Sequence, residues 1–268
     1  RRALRSPRLL GVLGVLSGIL ISVSSVADAQ APDRTTPPAL GAPPELNLPP
    51  IQTRTLSNGV EVWIVESHEV PLVQINLVVR SGAGADPAGK FGVASLTAAM
   101  LDEGAGMRSA LEIADHVEFL GASLSTSSSF DASAVRLNVP VARLGEALPV
   151  MADVALRPTF PDEELDRLRQ ERLTALLQAR DDPASVASMA FARLVYGPAH
   201  RYGANAMGSE ATLKAFTTAD LRAFHSAHYT PGNATLVVAG DITPDAVLPL
   251  LEQQFGRWTG AAPPRAPV

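Results

Sequence analysis

Residues 90–104 read Lys90-Phe91-Gly92-Val93-Ala94-Ser95-Leu96-Thr97-Ala98-Ala99-Met100-Leu101-Asp102-Glu103-Gly104. If residues 92–101 form a helix, Ser95, Ala98 and Ala99 fall at i, i+3 and i+4 and share one face. A His-x-x-Glu-His motif uses this spacing to present two imidazoles to zinc and a carboxylate to the zinc-bound water. Here the face carries one hydroxyl and two methyl groups, so the chemistry of such a site is missing.

The segments around this helix resemble the insulinase/pitrilysin family of zinc peptidases, the inverzincins. The resemblance covers most of the chain after Leu46. Its specificity comes from the order and spacing of several modest motifs, which occupy residues 56–62, 72–82, 92–101, 160–165, 182–183, 196–198, 229–234 and 237–241.

In active members of this family, the resemblance implies His, Glu and His at the positions of Ser95, Ala98 and Ala99. It also implies a third metal ligand, a glutamate, at Ala175 on a later helix. Alanine has no lone pair for a metal, and a neutral serine hydroxyl is a poor substitute for imidazole or carboxylate. Without the metal and the glutamate, nothing activates a water molecule. The resemblance therefore implies a non-catalytic homologue, a pseudopeptidase that holds no zinc of its own.

Family members of this kind often work as pairs, so the resemblance also implies partners. They are a zinc-bearing insulinase-like homologue, a second domain in the same chain, and peptide substrates. Two alternatives stay open, a structural assembly protein of the same fold and an active zinc peptidase with atypical ligands.

One Ser/Thr-rich segment has the composition of an edge strand that can accept an added peptide strand. In active relatives a substrate strand is added at this place. The predicted peptide-binding strand comprises Ala122, Ser123, Leu124, Ser125, Thr126, Ser127 and Ser128.

Composition limits the possible classes of protein. The chain has 268 residues, of which 46% are hydrophobic, enough for one large domain or two small ones with a real core. It has no cysteine, which excludes disulfides and thiolate zinc sites. The net charge of −5 and the lack of a basic stripe argue against a nucleic-acid partner.

The N-terminal segment has the pattern of a secretory signal peptide. Arginines at positions 1, 2, 5 and 8 precede an apolar run too short to span a bilayer, and small residues near Ala29 suit a cleavage site. We therefore expect an exported protein, periplasmic or secreted, with no stable membrane span. The general secretory and twin-arginine routes both stay open.

The expected domain organisation follows from composition along the chain. Residues 1–29 form the signal peptide, residues 30–50 a Pro-rich extended arm, and residues 51–258 the insulinase-like N-terminal domain. Residues 259–268 have the Pro/Ala composition of a linker and are expected to lead to a second domain.

Hairpin and helix patterns alternate without a regular βαβ repeat. Asn58-Gly59 predicts a hairpin between strands at 52–56 and 60–65, and the aliphatic run 72–79 predicts a central strand covered on both faces. Ser109 and Glu112 form a predicted capping box. Helices are predicted at 144–156, 162–179, 183–195 and 218–228. The expected class is α+β, a largely antiparallel mixed sheet with helices packed on it.

Several other sites compete with this interpretation. Residues 84–90 fit the G-x-x-x-x-G-K phosphate loop, although Phe91 cannot bind magnesium and Asp86 would repel phosphate. His225 and His228 share a helix face and could bind a metal with a carboxylate, although capping or solvated histidines are commoner. Asp102 and Glu103 could replace the lost ligands but point away from the Ser95 face. Ser95 as a nucleophile lacks a neighbouring histidine and a G-x-S-x-G turn.

Overall fold

The computed structural model describes Gly41, residues 49–198 and residues 200–263. The predicted signal peptide and nearly all of the predicted arm lie outside the described residues, as does the second half of the predicted linker. The described residues from Pro49 onward cluster as one compact unit.

Regular elements run from Gln52 to Phe255. The strands are β1 Gln52–Thr55, β2 Glu61–Glu66, β3 Leu72–Val79, β4 Gly104–Ala105, β5 Arg108–Ser109, β6 Ser123–Ser128, β7 Ser133–Pro140 and β8 Ala234–Gly240. The α-helices are α1 Val93–Ala99, α2 Ala110–Phe119, α3 Leu144–Leu156, α4 Asp162–Asp181, α5 Pro183–Tyr196, α6 Glu210–Ala215, α7 Thr218–His228 and α8 Pro244–Phe255.

Six strands form the main sheet in the order β1-β2-β8-β3-β7-β6. The pairs are antiparallel except β2 with β8, which is parallel. The sheet is therefore mixed but largely antiparallel, and with its packed helices it confirms the predicted α+β class. The small pair β4–β5 lies outside this sheet.

One face of the sheet packs into the core. In β3 the residues alternate between buried and partly exposed positions, because Val73, Ile75, Leu77 and Val79 all point to the core side. The expectation that β3 is covered on both faces was wrong, and Gln74 and Asn76 explain why. These polar residues lie on the other face, where they remain partly exposed.

Local sequence signals explain most helix boundaries. Ser109 and Glu112 form the predicted capping box at the start of α2. Helices α3 and α7 have the predicted bounds. Pro244 starts α8 directly after Thr243, although the Thr243 side chain makes no capping hydrogen bond. The short helix α6 was not predicted; it begins with a second capping box, between Ser209 and Thr212.

Within the described residues, no helix is long and apolar enough to cross a membrane.

Candidate functional site

Helix α1 is positioned by a buried carboxylate from the loop before it. Asp86, only 1% exposed, accepts hydrogen bonds from the main-chain N–H groups of Gly92 at 2.6 Å and Ala94 at 2.9 Å. These groups belong to the free N–H groups that begin a helix, and a carboxylate there also interacts well with the helix dipole. Burial raises the pKa of Asp86 to about 6, while the two hydrogen bonds and Arg201 act in the opposite direction.

The same contact overturns the phosphate-loop interpretation of residues 84–90. A phosphate loop presents free main-chain N–H groups to the ligand. Here the Asp86 carboxylate uses the N–H groups at the start of α1, and Lys90 pairs with Asp220 at 2.5 Å. The loop is a capping device for α1.

Gly92 allows a second segment to pack against the start of α1. Its φ of 102° lies in the left-handed region, and an added Cβ would lie 2.6 Å from the Met207 carbonyl oxygen and 2.7 Å from Gly208. The loop before α6 therefore rests directly on the N-terminus of α1.

The four positions that the resemblance assigns to a metal site lie on α1 and α4. Ala98 is buried, whereas Ser95, Ala99 and Ala175 are partly exposed. The structure brings the two helices together through Arg172, whose Nη2 donates to the Ser95 carbonyl oxygen at 2.8 Å. Arg172 precedes Ala175 by three residues and so shares its face of α4. The sequence signal for Arg172 was missed because an arginine in a charged helix is usually solvated.

These four residues do not fit a zinc ion. Their side chains offer one hydroxyl oxygen and no imidazole, thiolate or carboxylate. Elsewhere in the described ranges, no group of three or more His, Asp or Glu side chains is arranged to hold a metal.

The acidic residues after α1 have other partners. The Thr126 hydroxyl donates to Asp102 Oδ1 at 3.4 Å, and burial raises the pKa of Asp102. Arg167 of α4 donates to Glu103 at 2.5 Å. Asp102 therefore links the end of α1 to β6, and Glu103 links it to α4.

The histidines of α7 do not form a metal pair. The His225 ring contacts the Ala155 carbonyl oxygen at 2.9 Å and stacks on Tyr229, and burial lowers its pKa. The His228 Nδ1 lies 3.0 Å from the Ser81 hydroxyl, and burial lowers the pKa of this ring too. Both rings are packing residues with separate hydrogen-bond partners.

Strand β6 lies at one end of the main sheet, as an edge strand, with β7 as its partner there. The turn is closed by Ser129, whose N–H donates to the Ala132 carbonyl at 2.8 Å. Because antiparallel pairs alternate, Ser127 and Ser125 bond to β7 while the main-chain groups of Thr126 and Leu124 point away from it. In the described part of the chain, these outward main-chain groups of the predicted peptide-binding strand face no further strand.

A cavity of about 640 Å³ lies beside the C-terminal half of α4. It is bounded by α4, α5 and the loop before α6. Among its lining residues, Leu176 follows Ala175 and Phe91 precedes Gly92, while Phe130, Met189 and Tyr202 extend its apolar wall. Sequence reasoning did not find this cavity, because its walls come from segments far apart in the chain.

Helix α5 presents an apolar outer surface. None of its residues is buried, although large side chains fill much of its length. The exposed fractions reach 69% for Phe191 and 85% for Leu194. The other exposed apolar residues of α5 are Val186, Met189, Val195 and Tyr196.

Comparison with known families agrees with the arrangement of helices and sheet. The family described as "Insulinase (Peptidase family M16)" matches residues 61–195, about half of the chain, and "Peptidase M16 inactive domain" matches residues 215–268. The chain belongs to the insulinase family. This confirms the resemblance seen in the sequence.

Three individual relatives each share less than 30% sequence identity with this chain. An uncharacterized zinc protease, YmxG of Bacillus subtilis, is 26% identical over 208 residues, which cover 78% of this chain and 50% of YmxG. The solved peptidase M16 inactive domain from Pseudomonas fluorescens superposes with a TM-score of 0.77 at 28% identity, covering 81% of this chain and 53% of that one. The first half of the periplasmic protease PqqL from Escherichia coli shares the fold, with a TM-score of 0.73 at 21% identity and coverage of 81% and 48%. The chain spans about half the length of the curated relatives it matches.

Proposed function

We propose that this insulinase-family chain is the non-catalytic subunit of a heterodimeric peptidase, in which it binds and helps to enclose peptide substrates. A zinc-bearing homologue supplies the catalytic metal. The observation that carries the proposal is a free sheet edge, β6, beside a helix face without metal ligands. A sheet edge of the kind that accepts a peptide strand supports the binding role, and four positions without groups that would activate water support the non-catalytic role.

Peptide binding at β6 needs no metal. An extended peptide that adds to a sheet edge is held by main-chain hydrogen bonds, and its alternate side chains enter neighbouring pockets. Leu124, Thr126 and Ser128 offer the outward main-chain groups. The cavity lined by Leu176 and Phe91 has the apolar character to receive one side chain of such a peptide.

Pairing would cover the apolar surface of α5. An exposed patch with phenylalanine and leucine side chains is costly in water and marks interaction sites. In this proposal the second insulinase-like half lies against α5, whether it belongs to the same chain or to the zinc-bearing subunit. A substrate between the two halves would then be shielded from water.

We also propose that the protein is exported to the periplasm. This proposal rests on the arginine-rich start and apolar run of residues 1–21, and on a structural relative, PqqL, that is described as periplasmic.

The proposal is tested with the purified mature full-length protein, alone and mixed with a zinc-bearing homologue. Zinc content and hydrolysis of an unstructured peptide are measured in each sample. We expect no zinc and no hydrolysis from this protein alone, and faster hydrolysis by the homologue when it is added. Stoichiometric zinc together with hydrolysis by this protein alone would show that the proposal is wrong.

A matched pair of variants tests the role of β6. Thr126→Pro removes an outward N–H without breaking a bond to β7, whereas Thr126→Val keeps the N–H and the side-chain shape. Peptide affinity should fall about tenfold in the proline variant, the cost of one or two hydrogen bonds, and remain within about twofold in the valine variant. Equal affinities would remove β6 from the binding site.

A structural assembly protein of the same fold is the second candidate. The exposed apolar surface of α5 favours it, because an assembly needs such a surface and does not need β6. In that case the protein would pair with its partner, but Thr126→Pro would change neither peptide binding nor hydrolysis.

A further inference from the structure

Arg172 of α4 forms no ion pair among the described residues, and it contacts α1 at Ser95, one of the four positions that the resemblance assigns to a metal site. Its Nη2 donates to the neutral Ser95 carbonyl at 2.8 Å, and its Nη1 is buried without a hydrogen-bond partner among the described residues. Burial lowers the pKa of Arg172. The charge of the neighbouring Glu171 acts in the opposite direction on this pKa, but it forms no hydrogen bond with the guanidinium among the described residues. Taking a guanidinium partly out of water without a hydrogen-bonded carboxylate is unfavourable.

The neighbouring arginines of α4 show the usual arrangement. Arg167 pairs with Glu103 and Glu164, and Arg169 pairs with Asp166 while donating to two main-chain carbonyls. Within the part of the chain that the structure describes, Arg172 forms no ion pair. It therefore differs from both neighbours in having no ion-paired carboxylate, and only the charge of the adjacent Glu171 offsets its own.

Helix geometry places this charge among the four substituted positions. A carbonyl in an α-helix points along the axis toward residues i+3 and i+4, so a group bonded to the Ser95 carbonyl lies beside Ala98 and Ala99. Ala175 lies almost one turn beyond Arg172 on the same face of α4. The small side chains at these positions leave room for the guanidinium.

We propose that the positive charge of Arg172 occupies the place of a metal ion between α1 and α4, at the four substituted positions. It replaces a metal ion in holding α4 against α1, and its charge excludes a divalent cation. Two independent features then keep a metal out: the four positions carry no metal ligands, and the charge of Arg172 repels a cation. This inference concerns these positions alone and depends neither on pairing nor on peptide binding.

Histidines placed on α1 test whether Arg172 excludes a metal ion. Two histidines at i and i+4 of a helix bind divalent zinc from one face. The double variant Ser95→His with Ala99→His creates such a pair on α1. If Arg172 excludes cations, this pair should bind Zn²⁺ poorly while Arg172 is present and at least tenfold more tightly once Arg172 is replaced by methionine.

The methionine variant separates charge from volume. Methionine keeps most of the length of the arginine side chain and removes its charge, whereas Arg172→Ala also opens space. Zn²⁺ affinity is measured by isothermal titration in all three backgrounds. A higher Zn²⁺ affinity in the Arg172→Met variant supports the proposal. A higher affinity in the Arg172→Ala variant alone would show that the volume of the arginine side chain, not its charge, keeps the metal out, and the proposal would be wrong.

A remote histidine pair is the control. Asp115 and Phe119 are exposed on α2 at i and i+4, and histidines there should bind Zn²⁺ equally in the Arg172 and Met backgrounds. Two results would overturn the proposal. In one, the α1 pair binds Zn²⁺ equally whatever residue stands at position 172; in the other, the α1 pair binds in no background while the control pair binds. Circular dichroism verifies folding. If the double variant does not fold, the single Ala99→His variant is compared in the same backgrounds with the same expectation.

Discussion

At the scale of single residues, Asp86 shows how this chain keeps α1 in place without a metal. Its carboxylate accepts hydrogen bonds from two main-chain N–H groups at the start of α1, which have no acceptor within the helix, and the carboxylate is buried in this position. The two hydrogen bonds stabilise the start of the helix, while desolvation disfavours the charged form of the acid. The balance between them depends on pH.

The pKa of Asp86 predicts a pH-dependent contribution to stability. The pKa of about 6 in the folded chain lies above the value of about 3.9 expected when unfolded. The folded state therefore binds the proton more readily, so this contribution is fully present below about pH 4 and is lost as the pH rises through about 6. Asp86→Asn should lack this pH dependence.

The measurement is urea unfolding of both proteins between about pH 4 and about pH 7. The free energy of unfolding of the wild type, relative to Asp86→Asn, should fall by about 2 kcal/mol across this range. Other titrating groups are common to both proteins and cancel in the comparison. A difference that stays constant with pH would contradict the assignment.

Gly92 provides a second prediction at this scale. Gly92→Ala places a methyl group against the Met207 carbonyl and Gly208 and also strains a left-handed backbone. We expect a loss of about 3 kcal/mol, of which about 1 kcal/mol is backbone strain and the rest is the clash. Gly89→Ala is the matched control, because its φ is 78° but nothing lies within 4 Å of the added Cβ.

Denaturant unfolding measures both glycine variants. Only the backbone term of about 1 kcal/mol should appear in Gly89→Ala. Equal losses in the two variants would mean that the loop before α6 does not press on the start of α1.

At the scale of elements, local signals predicted most of what the structure contains. The capping box at Ser109 and the Asn58-Gly59 turn are short-range features, and α2 and the β1–β2 hairpin follow them. Helix α6 was missed because six residues carry little periodicity. The covering of β3 was misjudged because an aliphatic run does not show what packs on each face.

The apolar surface of α5 gives a prediction at this scale. Replacing Phe191 and Leu194 by serine should change the stability of the isolated chain by less than about 0.5 kcal/mol, because both side chains are exposed. The same variant should lose association with the zinc-bearing homologue, which analytical ultracentrifugation detects.

A buried phenylalanine is the control for this variant. Phe255 is 0% exposed, so Phe255→Ala should cost about 3–5 kcal/mol. If the α5 variant destabilises the isolated chain to a similar extent, α5 packs in the fold and is not a free surface. If it is stable and still associates, another surface is used for pairing.

At the scale of the whole molecule, the fold class could be predicted but the contacts at the site could not. The spacing of a known motif singles out Ser95, Ala98 and Ala99, and the family resemblance adds Ala175; their role as metal positions stays a prediction. Arg172 was not found, because its contact with the Ser95 carbonyl joins residues 77 positions apart. The parallel pairing of β2 with β8 is equally non-local and leaves no signal in either strand.

The response of the whole molecule to metal is the last prediction. A ligand that binds only the folded state stabilises it, by about 2.7 kcal/mol when its concentration is about 100 times its Kd. If the four corresponding positions are the place where a metal would bind, this chain should show no such effect, because their side chains include no imidazole, thiolate or carboxylate. We therefore expect the thermal midpoint of the tag-free protein to be the same, within about 1 °C, in chelator and in excess Zn²⁺. A zinc-bearing homologue is the control and should lose several degrees in chelator, because its metal contributes to the stability of the fold. A comparable loss in this protein would mean that it holds a metal through ligands other than Ser95, Ala98, Ala99 and Ala175, and that Arg172 does not exclude it.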